Sequence, residues 1–148
     1  MVNREAPQVG FMVKQAQSLL RARMEDELRP LGLTVPQFAC LNLLQLDPGA
    51  SASELARAAF VSRQSMNPLL QSLMDRGLVG RPAKPPSGRA RPAALTPEGG
   101  DLVVAARQRV AGVEKQMLSG LSADATSALR EGLASCIAAL GGDRVDHA

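Results

Sequence analysis

Aromatic residues are scarce in this chain of 148 residues, which has no Trp, no Tyr and only three Phe. Its apolar fraction of 45 % therefore consists mainly of Leu, Ala, Val and Met. A chain of this length is expected to form one domain that buries about two thirds of its unfolded surface. A core built from these aliphatic side chains favours helices that pack closely together.

Cysteine and histidine are as rare as aromatic residues. The two cysteines, Cys40 and Cys136, are too few for the disulfide framework of a small secreted domain, and their spacing fits no metal site. Both lie on apolar stripes, where a thiol usually acts as a small buried hydrophobe, and redox sensing by one of them is an alternative. The single histidine, His147, lies near the C-terminus, and the carboxylates show no pairing typical of acid–base catalysis. We therefore expect no enzyme and no metal or cofactor.

Long apolar runs are also missing. No run approaches the roughly 18 residues that a membrane-spanning helix requires. The N-terminal part lacks the charged start, apolar centre and small-residue cleavage site of a signal peptide. We expect a cytoplasmic protein without a membrane partner.

The most informative segment runs from Ser53 to Thr96. It begins with a predicted short helix that ends at Ala59, and a turn leads to a second helix with Ser62 as its N-cap and Gly77 as its C-cap. Two extended arms then flank a loop rich in proline, glycine and arginine. This order of elements is that of a winged helix-turn-helix.

The second helix of this segment has two different faces. Its apolar residues recur at spacings of three and four and predict a face that packs into the core: Met66, Leu69, Leu70 and Leu73. The opposite face carries donors and acceptors suited to base edges and phosphates in a DNA major groove: Arg63, Gln64, Asn67 and Gln71.

Positive charge is concentrated in the same part of the chain. Residues 61–92 carry a net charge of +5, whereas the whole chain carries only +3 and the remainder is therefore −2. Lys84, Arg89 and Arg91 lie on or beside the tip of the predicted wing. Because the charge lies where phosphates would have to bind, we predict double-stranded DNA as a partner.

Helices are also predicted on both sides of this segment. A long amphipathic helix covers residues 9–31, and a second helix runs from the capping residue Thr34 to about Leu46. Thr96 and Ser122 are predicted N-caps of two further helices, the last of which ends at Gly141. The predicted fold is mainly α with a small β-hairpin wing (α+β).

Several of these motifs occur together in one known family. The pieces are LT-x-x-QF at Leu33–Phe38, ELA at Glu54–Ala56, VSRQSM at Val61–Met66, RGLV at Arg76–Val79, and GRARP with LTPEG at Gly88–Gly99. In their order and spacing they resemble the core of the MarR family of transcriptional regulators, over roughly half the chain.

The resemblance implies a homodimeric repressor that binds a pseudo-palindromic operator. Residues 33–96 would form the winged helix-turn-helix, and helices at 9–31 and 97–141 would form the dimer. The implied DNA contacts lie on the second helix, with Arg89 of the wing reaching into a minor groove: Ser62, Arg63, Gln64, Ser65, Asn67, Gln71, Lys84, Arg89 and Arg91. An alternative is a winged helix that binds another protein.

The resemblance also implies a small amphipathic or aromatic effector that releases the DNA. Its expected position is a cleft between the dimer helices and the DNA-reading region, with four candidate lining residues: Phe11, Met12, Phe38 and Met117.

Two positions depart from the family pattern. Ser87 stands where many members have an aspartate that braces the wing arginine. Pro68 lies inside the second helix, where it removes an amide donor at a cost of roughly 3 kcal/mol in an ordinary helix. We expect a bend between Gln64 and Pro68, or an altered presentation of Asn67.

Overall fold

A computed structural model describes residues 6–81 and 93–142. These residues form six α-helices, one 3₁₀ helix (Arg29–Leu31) and two short strands. In chain order the elements are α1 (Val9–Leu28), α2 (Val35–Leu46), α3 (Ala52–Ala59), α4 (Arg63–Asp75), β1 (Val79–Gly80), β2 (Ala94–Leu95), α5 (Pro97–Met117) and α6 (Ala123–Ala139). The predicted fold class, mainly α with a small β-hairpin, is confirmed.

Helix starts follow the capping residues closely. Thr34 and Gln37 form a reciprocal capping box at the start of α2, as predicted. The predicted start of α3 was wrong by two residues, because Ser51 rather than Ser53 is the N-cap. The Ser51 hydroxyl accepts from the Glu54 amide, and the Glu54 side chain accepts from the Ser51 amide.

The chain divides into two compact units, Met1–Val113 and Glu114–Ala148. In the first unit α2 lies at the centre and packs against α1, α3, α4 and β2. The largest fully buried side chains come from every α-helix of this unit: Leu28, Cys40, Leu41, Leu44, Leu55, Met66, Leu73 and Val103. This core holds the exposed side of α4 in a fixed orientation.

The wing begins and ends on the same short sheet. β1 pairs with β2 in antiparallel register, with Val79 opposite Leu95 and Gly80 opposite Ala94. The Thr96 hydroxyl donates to the Gly77 carbonyl at 2.7 Å and accepts from the Gly99 amide at 3.1 Å. These two bonds join the residue that follows the end of α4 to the start of α5.

The second unit contains the end of α5 and all of α6. Ser122 caps α6 as predicted, because its hydroxyl accepts from the Ala125 amide. Four apolar side chains recur along one side of this region at spacings of three and four, and all are exposed in the single chain: Leu129, Leu133, Ile137 and Leu140.

Within the described residues, none of the helices has both the length and the apolar character needed to cross a membrane.

Candidate nucleic-acid interface

The helix α4 combines a buried side with an exposed polar side. Met66, Leu70 and Leu73 are buried in the core of the first unit. At its start, the Ser62 hydroxyl accepts from the Ser65 amide at 3.2 Å. This cap satisfies one of the free amides of the first turn and defines where the helix begins.

Four of the six predicted DNA-contacting residues around α4 share one exposed face. At 3.6 residues per turn, Arg63, Asn67 and Gln71 lie one above another, and Gln64 lies beside them. The Gln71 amide group donates to the Asp75 carboxylate at 2.9 Å. The face therefore presents a guanidinium and three carboxamides to solvent.

Ser62 and Ser65 occupy different positions from those four residues. Their hydroxyl oxygens lie 2.9 Å apart at the start of the helix. Ser65 lies on the side of α4 that also carries Pro68, Leu69 and Ser72, where these residues border a cavity rather than the Arg63 face. The sequence pattern did not separate these two sides.

Pro68 does not interrupt α4, which continues through it from Arg63 to Asp75. The proline is exposed. Because proline has no amide hydrogen, the Gln64 carbonyl lacks its usual helical donor at this point.

The turn before α4 contains the only non-glycine residue with positive φ among the described residues, Phe60 at +55°. Its amide and that of Val61 donate to carbonyls of the last turn of α3, at Arg57 and Ala56, and close that helix. Both residues of this turn are apolar. Val61 is half-buried as such a turn requires, whereas Phe60 is 94 % exposed.

The wing residues Lys84, Ser87, Arg89 and Arg91 lie outside the described residues. Its two arms are described, and Val79 and Ala93 are both buried. The first arm packs against α4 and the second packs against α2.

The two cysteines differ in environment. Cys40 is fully buried, with its Sγ atom 3.7 Å from the Met66 Sδ atom, and burial raises its pKa to about 12. Almost no thiolate forms there at neutral pH, so Cys40 does not fit redox sensing. Cys136 is exposed on α6, which differs from the burial that its apolar stripe predicted.

A cavity of about 430 Å³ lies between α1, α2 and the end of α3. Phe38 is one of its lining residues, together with Leu20, Met24 and Asn42. Of the other three predicted effector-site residues, Phe11 and Met12 are exposed on α1 and do not line this cavity, and Met117 belongs to the second unit.

A second cavity, of about 770 Å³, lies between the C-terminal part of α1, the start of α2 and the Ser65 side of α4. Arg21 lines both cavities and pairs with Glu25 through its Nε atom at 3.0 Å. The guanidinium of Arg21 therefore borders both cavities.

From the sequence, Arg76 belongs to the RGLV motif and to the positively charged residues 61–92. In the structure its guanidinium donates to the Gly32 carbonyl at 2.5 Å and to the Leu31 carbonyl at 3.3 Å. No local pattern indicates this contact, because the partners are 44 and 45 positions away in the chain.

Comparisons with known proteins agree with this geometry. The model of the MarR family matches residues 31–90. The HTH-type transcriptional repressor Rv2887 of Mycobacterium tuberculosis is 42 % identical over 119 residues, which cover 80 % of this chain and 85 % of the relative.

Solved structures of the Mycobacterium tuberculosis MarR family protein Rv2887 are similar over most of the chain. Its complex with DNA aligns with a TM-score of 0.70 and 34 % identity, and covers 93 % of this chain and all of that chain. Its complex with salicylic acid aligns with a TM-score of 0.71 and 39 % identity, and covers 89 % of this chain and 97 % of that chain.

Proposed function

This chain belongs to the MarR family of transcriptional regulators, and we propose that it is a homodimeric repressor that binds a pseudo-palindromic operator and releases it when a small aromatic acid binds. The observation that carries the proposal is the exposed face of α4, which presents Arg63, Gln64, Asn67 and Gln71 beside a well-packed core. The similarity to a repressor with a DNA complex supports it.

The proposed base-reading residues are the four on this face. A guanidinium can donate two hydrogen bonds to guanine, and a carboxamide can pair with adenine in the major groove. Ser62 and Ser65 lie at the start of the helix, where hydroxyl and amide groups suit a phosphate. These contacts would position the helix, while Arg63 and the carboxamides would read sequence.

For the wing we propose contacts of Lys84, Arg89 and Arg91 with DNA. Arg89 is assigned to the minor groove, where narrow A·T-rich DNA attracts guanidinium groups. Replacing Arg89 by alanine should weaken operator binding while the dimer persists. The matched control is Arg130→Ala, since Arg130 is exposed on α6; equal affinity of both variants would contradict the wing assignment.

Dimerisation is assigned to residues 9–31 and 97–141. α1 exposes Val9, Phe11 and Met12, and α6 exposes Leu133 and Ile137, which are costly surfaces for a monomer in water. A twofold dimer would present two α4 helices to successive major grooves, about one DNA turn apart.

We propose that the effector occupies the cavity lined by Phe38, because an aromatic ring can pack against Phe38 and Met24 while a carboxylate pairs with Arg21. Asn42 also lines this cavity and accepts a hydrogen bond from Arg107 of α5. Binding there can therefore affect both α1 and α5, and the effector releases DNA only if it prefers the DNA-free arrangement.

Salicylic acid is a suitable probe, because a similar protein has been solved in complex with it. Arg21→Gln should weaken the release of operator DNA by salicylate. Arg23→Gln is the control, since Arg23 is exposed on the same helix and does not line the cavity. Equal salicylate sensitivity of the two variants would contradict this site.

No catalytic role is proposed, because the similar proteins are transcriptional regulators. We place the site of action in the cytoplasm, because the proposed DNA target lies there.

The decisive experiment selects bound sequences from a random duplex pool and then titrates salt on the selected duplex. An enriched inverted repeat with half-sites about one turn apart and a steep salt dependence is expected. Arg63→Gln should relax the selected sequence, whereas Arg130→Gln should not. Absence of enrichment and of salt-dependent binding would favour the alternative, a winged helix that binds another protein.

A further inference from the structure

We propose that Arg76 is a positioning residue that fixes the recognition helix α4 to the end of α1 and thereby sets the operator spacing that the dimer accepts. This inference rests on the proposed function. It concerns a residue that faces away from the base-reading side and has no assigned role in DNA contact.

The contact joins two helix ends that are distant in sequence. Arg76 is the C-terminal cap residue of α4. Its two terminal nitrogens donate to the carbonyls of Leu31 and Gly32, at the end of the 3₁₀ helix that follows α1. One planar group thus bridges two successive carbonyls, which a single ammonium cannot match in geometry.

The electrostatics of this contact are favourable. Leu31 ends the 3₁₀ helix that extends α1, and carbonyls at a helix C-terminus carry partial negative charge. Gly32 adopts φ +69°, and an added Cβ atom there would lie 3.1 Å from the Arg76 Nη2 atom. A glycine at this position therefore permits both the turn and the close approach of the guanidinium.

A second contact lies one helical turn earlier on the same side of α4. The Gln37 side chain donates to the Ser72 hydroxyl at 3.2 Å, and the Ser72 hydroxyl donates to the Leu69 carbonyl at 2.6 Å. Gln37 is itself fixed by the capping box of α2. Ser72 and Arg76 thus join the C-terminal half of α4 to α2 and α1.

The base-reading half of α4 lacks comparable ties in the described part of the chain. In this first half of the helix, which carries Arg63, Gln64 and Asn67, the side-chain hydrogen bond is local and lies between Ser62 and Ser65. Buried Met66 and Leu70 hold this half by packing, which is non-directional, and the Cys40 thiol of α2 adds only a weak contact with the Met66 Sδ atom at 3.7 Å. The stronger directional restraints on α4 therefore lie at the end remote from Arg63.

This arrangement makes the position of Arg63 sensitive to the contact at Arg76. The two residues are separated by about 20 Å along the helix at 1.5 Å per residue. A rotation of α4 by about 10° around its C-terminal end would displace its first turn by about 3 Å, which is close to the rise of one base pair. Loss of the contact should therefore relax the spacing between half-sites.

The experiment uses the full chain and the duplex that the wild-type protein selects from a random pool. Two further duplexes carry one base pair more or one fewer between the half-sites. Arg76→Gln and Arg76→Lys are compared with Arg130→Gln, which changes the same charge at an exposed position of α6 and serves as the control once sedimentation equilibrium shows that it keeps the wild-type dimer. Dissociation constants are measured for all three duplexes, with a salt titration on the selected one.

The expected result is a spacing preference that falls about tenfold in Arg76→Gln, as the loss of two hydrogen bonds would give. Arg76→Lys should show a similar loss, because it keeps the charge and loses the paired donors. The salt slope should equal that of Arg130→Gln, since the Arg76 guanidinium is occupied by carbonyls. Ser72→Ala should reduce the preference less.

An unchanged spacing preference in both Arg76 variants would overturn the inference. So would a salt slope reduced by about 1 relative to the control, because that identifies Arg76 as a phosphate contact. If Arg76→Gln does not fold, Arg76→Lys decides alone. If the wild-type protein selects no duplex, the proposed function fails and this inference fails with it.

Discussion

At the scale of single residues, Gly99 shows how closely two elements approach. A Cβ atom built on Gly99 would lie 2.0 Å from the Leu78 carbonyl oxygen, well inside any normal contact. The first turn of α5 therefore packs directly against the backbone that enters β1. A glycine is needed here for space rather than for a left-handed backbone.

Replacing Gly99 by alanine should lower the free energy of unfolding by about 3 kcal/mol, because backbone atoms must move to admit the methyl group. Gly100→Ala is the control, since nothing lies within 4 Å of an added Cβ atom there. The free energy of unfolding of that control should rise by about 0.5–1 kcal/mol. Urea denaturation measures both, and similar stability of the two variants would contradict the close approach.

The two thiols should react at very different rates. Cys136 is exposed and Cys40 is fully buried. A thiol reagent at neutral pH should therefore modify Cys136 in the folded protein and Cys40 only after unfolding. Mass spectrometry of the Cys136→Ser variant gives a direct check, since rapid modification of its remaining thiol would disprove the burial of Cys40.

Burial of Cys40 also predicts a pH dependence of stability. Its pKa rises from 9.0 to about 12 on folding, so the unfolded chain releases the proton at lower pH than the folded chain. The contribution of Cys40 to the free energy of unfolding is therefore complete below pH 9.0 and is lost as the pH rises towards about 12. Within this window the free energy of unfolding should fall by about 1.4 kcal/mol per pH unit from this group.

The measurement compares urea denaturation of the wild-type protein and Cys40→Ala from about pH 8 to about pH 11. The variant should lose this part of the slope, whereas Cys136→Ala should keep it. Parallel pH profiles for the wild-type protein and Cys40→Ala would show that Cys40 does not titrate differently on folding.

At the scale of elements, α4 tolerates a proline because its neighbours hold it. Pro68 lies in the sixth helical position, where its missing amide leaves one carbonyl without a donor. The helix nevertheless continues, because its buried residues Met66, Leu70 and Leu73 hold it in place through tertiary packing. Local propensity would favour a break here, and packing overrides it.

Replacing Pro68 by alanine should raise the free energy of unfolding by about 1–3 kcal/mol, since it restores a helical hydrogen bond and removes a steric conflict. Asn67→Ala is the control for helix propensity alone, and its free energy of unfolding should rise by only about 0.5 kcal/mol. Thermal and urea denaturation measure both variants. A destabilised Pro68→Ala would show that the proline ring makes an essential contact.

Operator selection with Pro68→Ala tests the predicted effect on base reading. An unchanged selected sequence would remove any role of this proline in presenting Asn67. A changed sequence would support it.

At the scale of the whole molecule, the proposed dimer explains the apolar residues that α6 exposes. Leu129, Leu133 and Ile137 lie on one side of this helix and are each at least 40 % exposed in the single chain. A second copy of the chain would cover such a surface and remove its cost in water.

Replacing Leu133 by glutamate should weaken the dimer at least about tenfold, because a carboxylate would be buried in an apolar interface. Ser135→Glu is the control, since Ser135 is exposed on the other side of α6 and gains the same charge. Sedimentation equilibrium measures both. Equal dissociation constants would place the interface elsewhere.

The sequence by itself determined most helix boundaries, the caps at Thr34, Ser62 and Ser122, and the polar face of α4. These features depend on residues within one or two helical turns, where spacing and capping chemistry act directly. The concentration of positive charge was also evident from sequence alone. Together they were sufficient for the fold class and for the resemblance to the MarR family.

Only the tertiary structure decided which polar groups of α4 stay on its open face and which hold the helices together. Arg76 and Ser72 belong to the second kind, Ser65 borders a cavity, and Phe60 is exposed although its neighbour Val61 is half-buried. The partners of Arg76 lie more than forty positions away, and Gln37 lies 35 positions from Ser72. Such contacts arise only when packing brings distant segments together, and no local pattern encodes them.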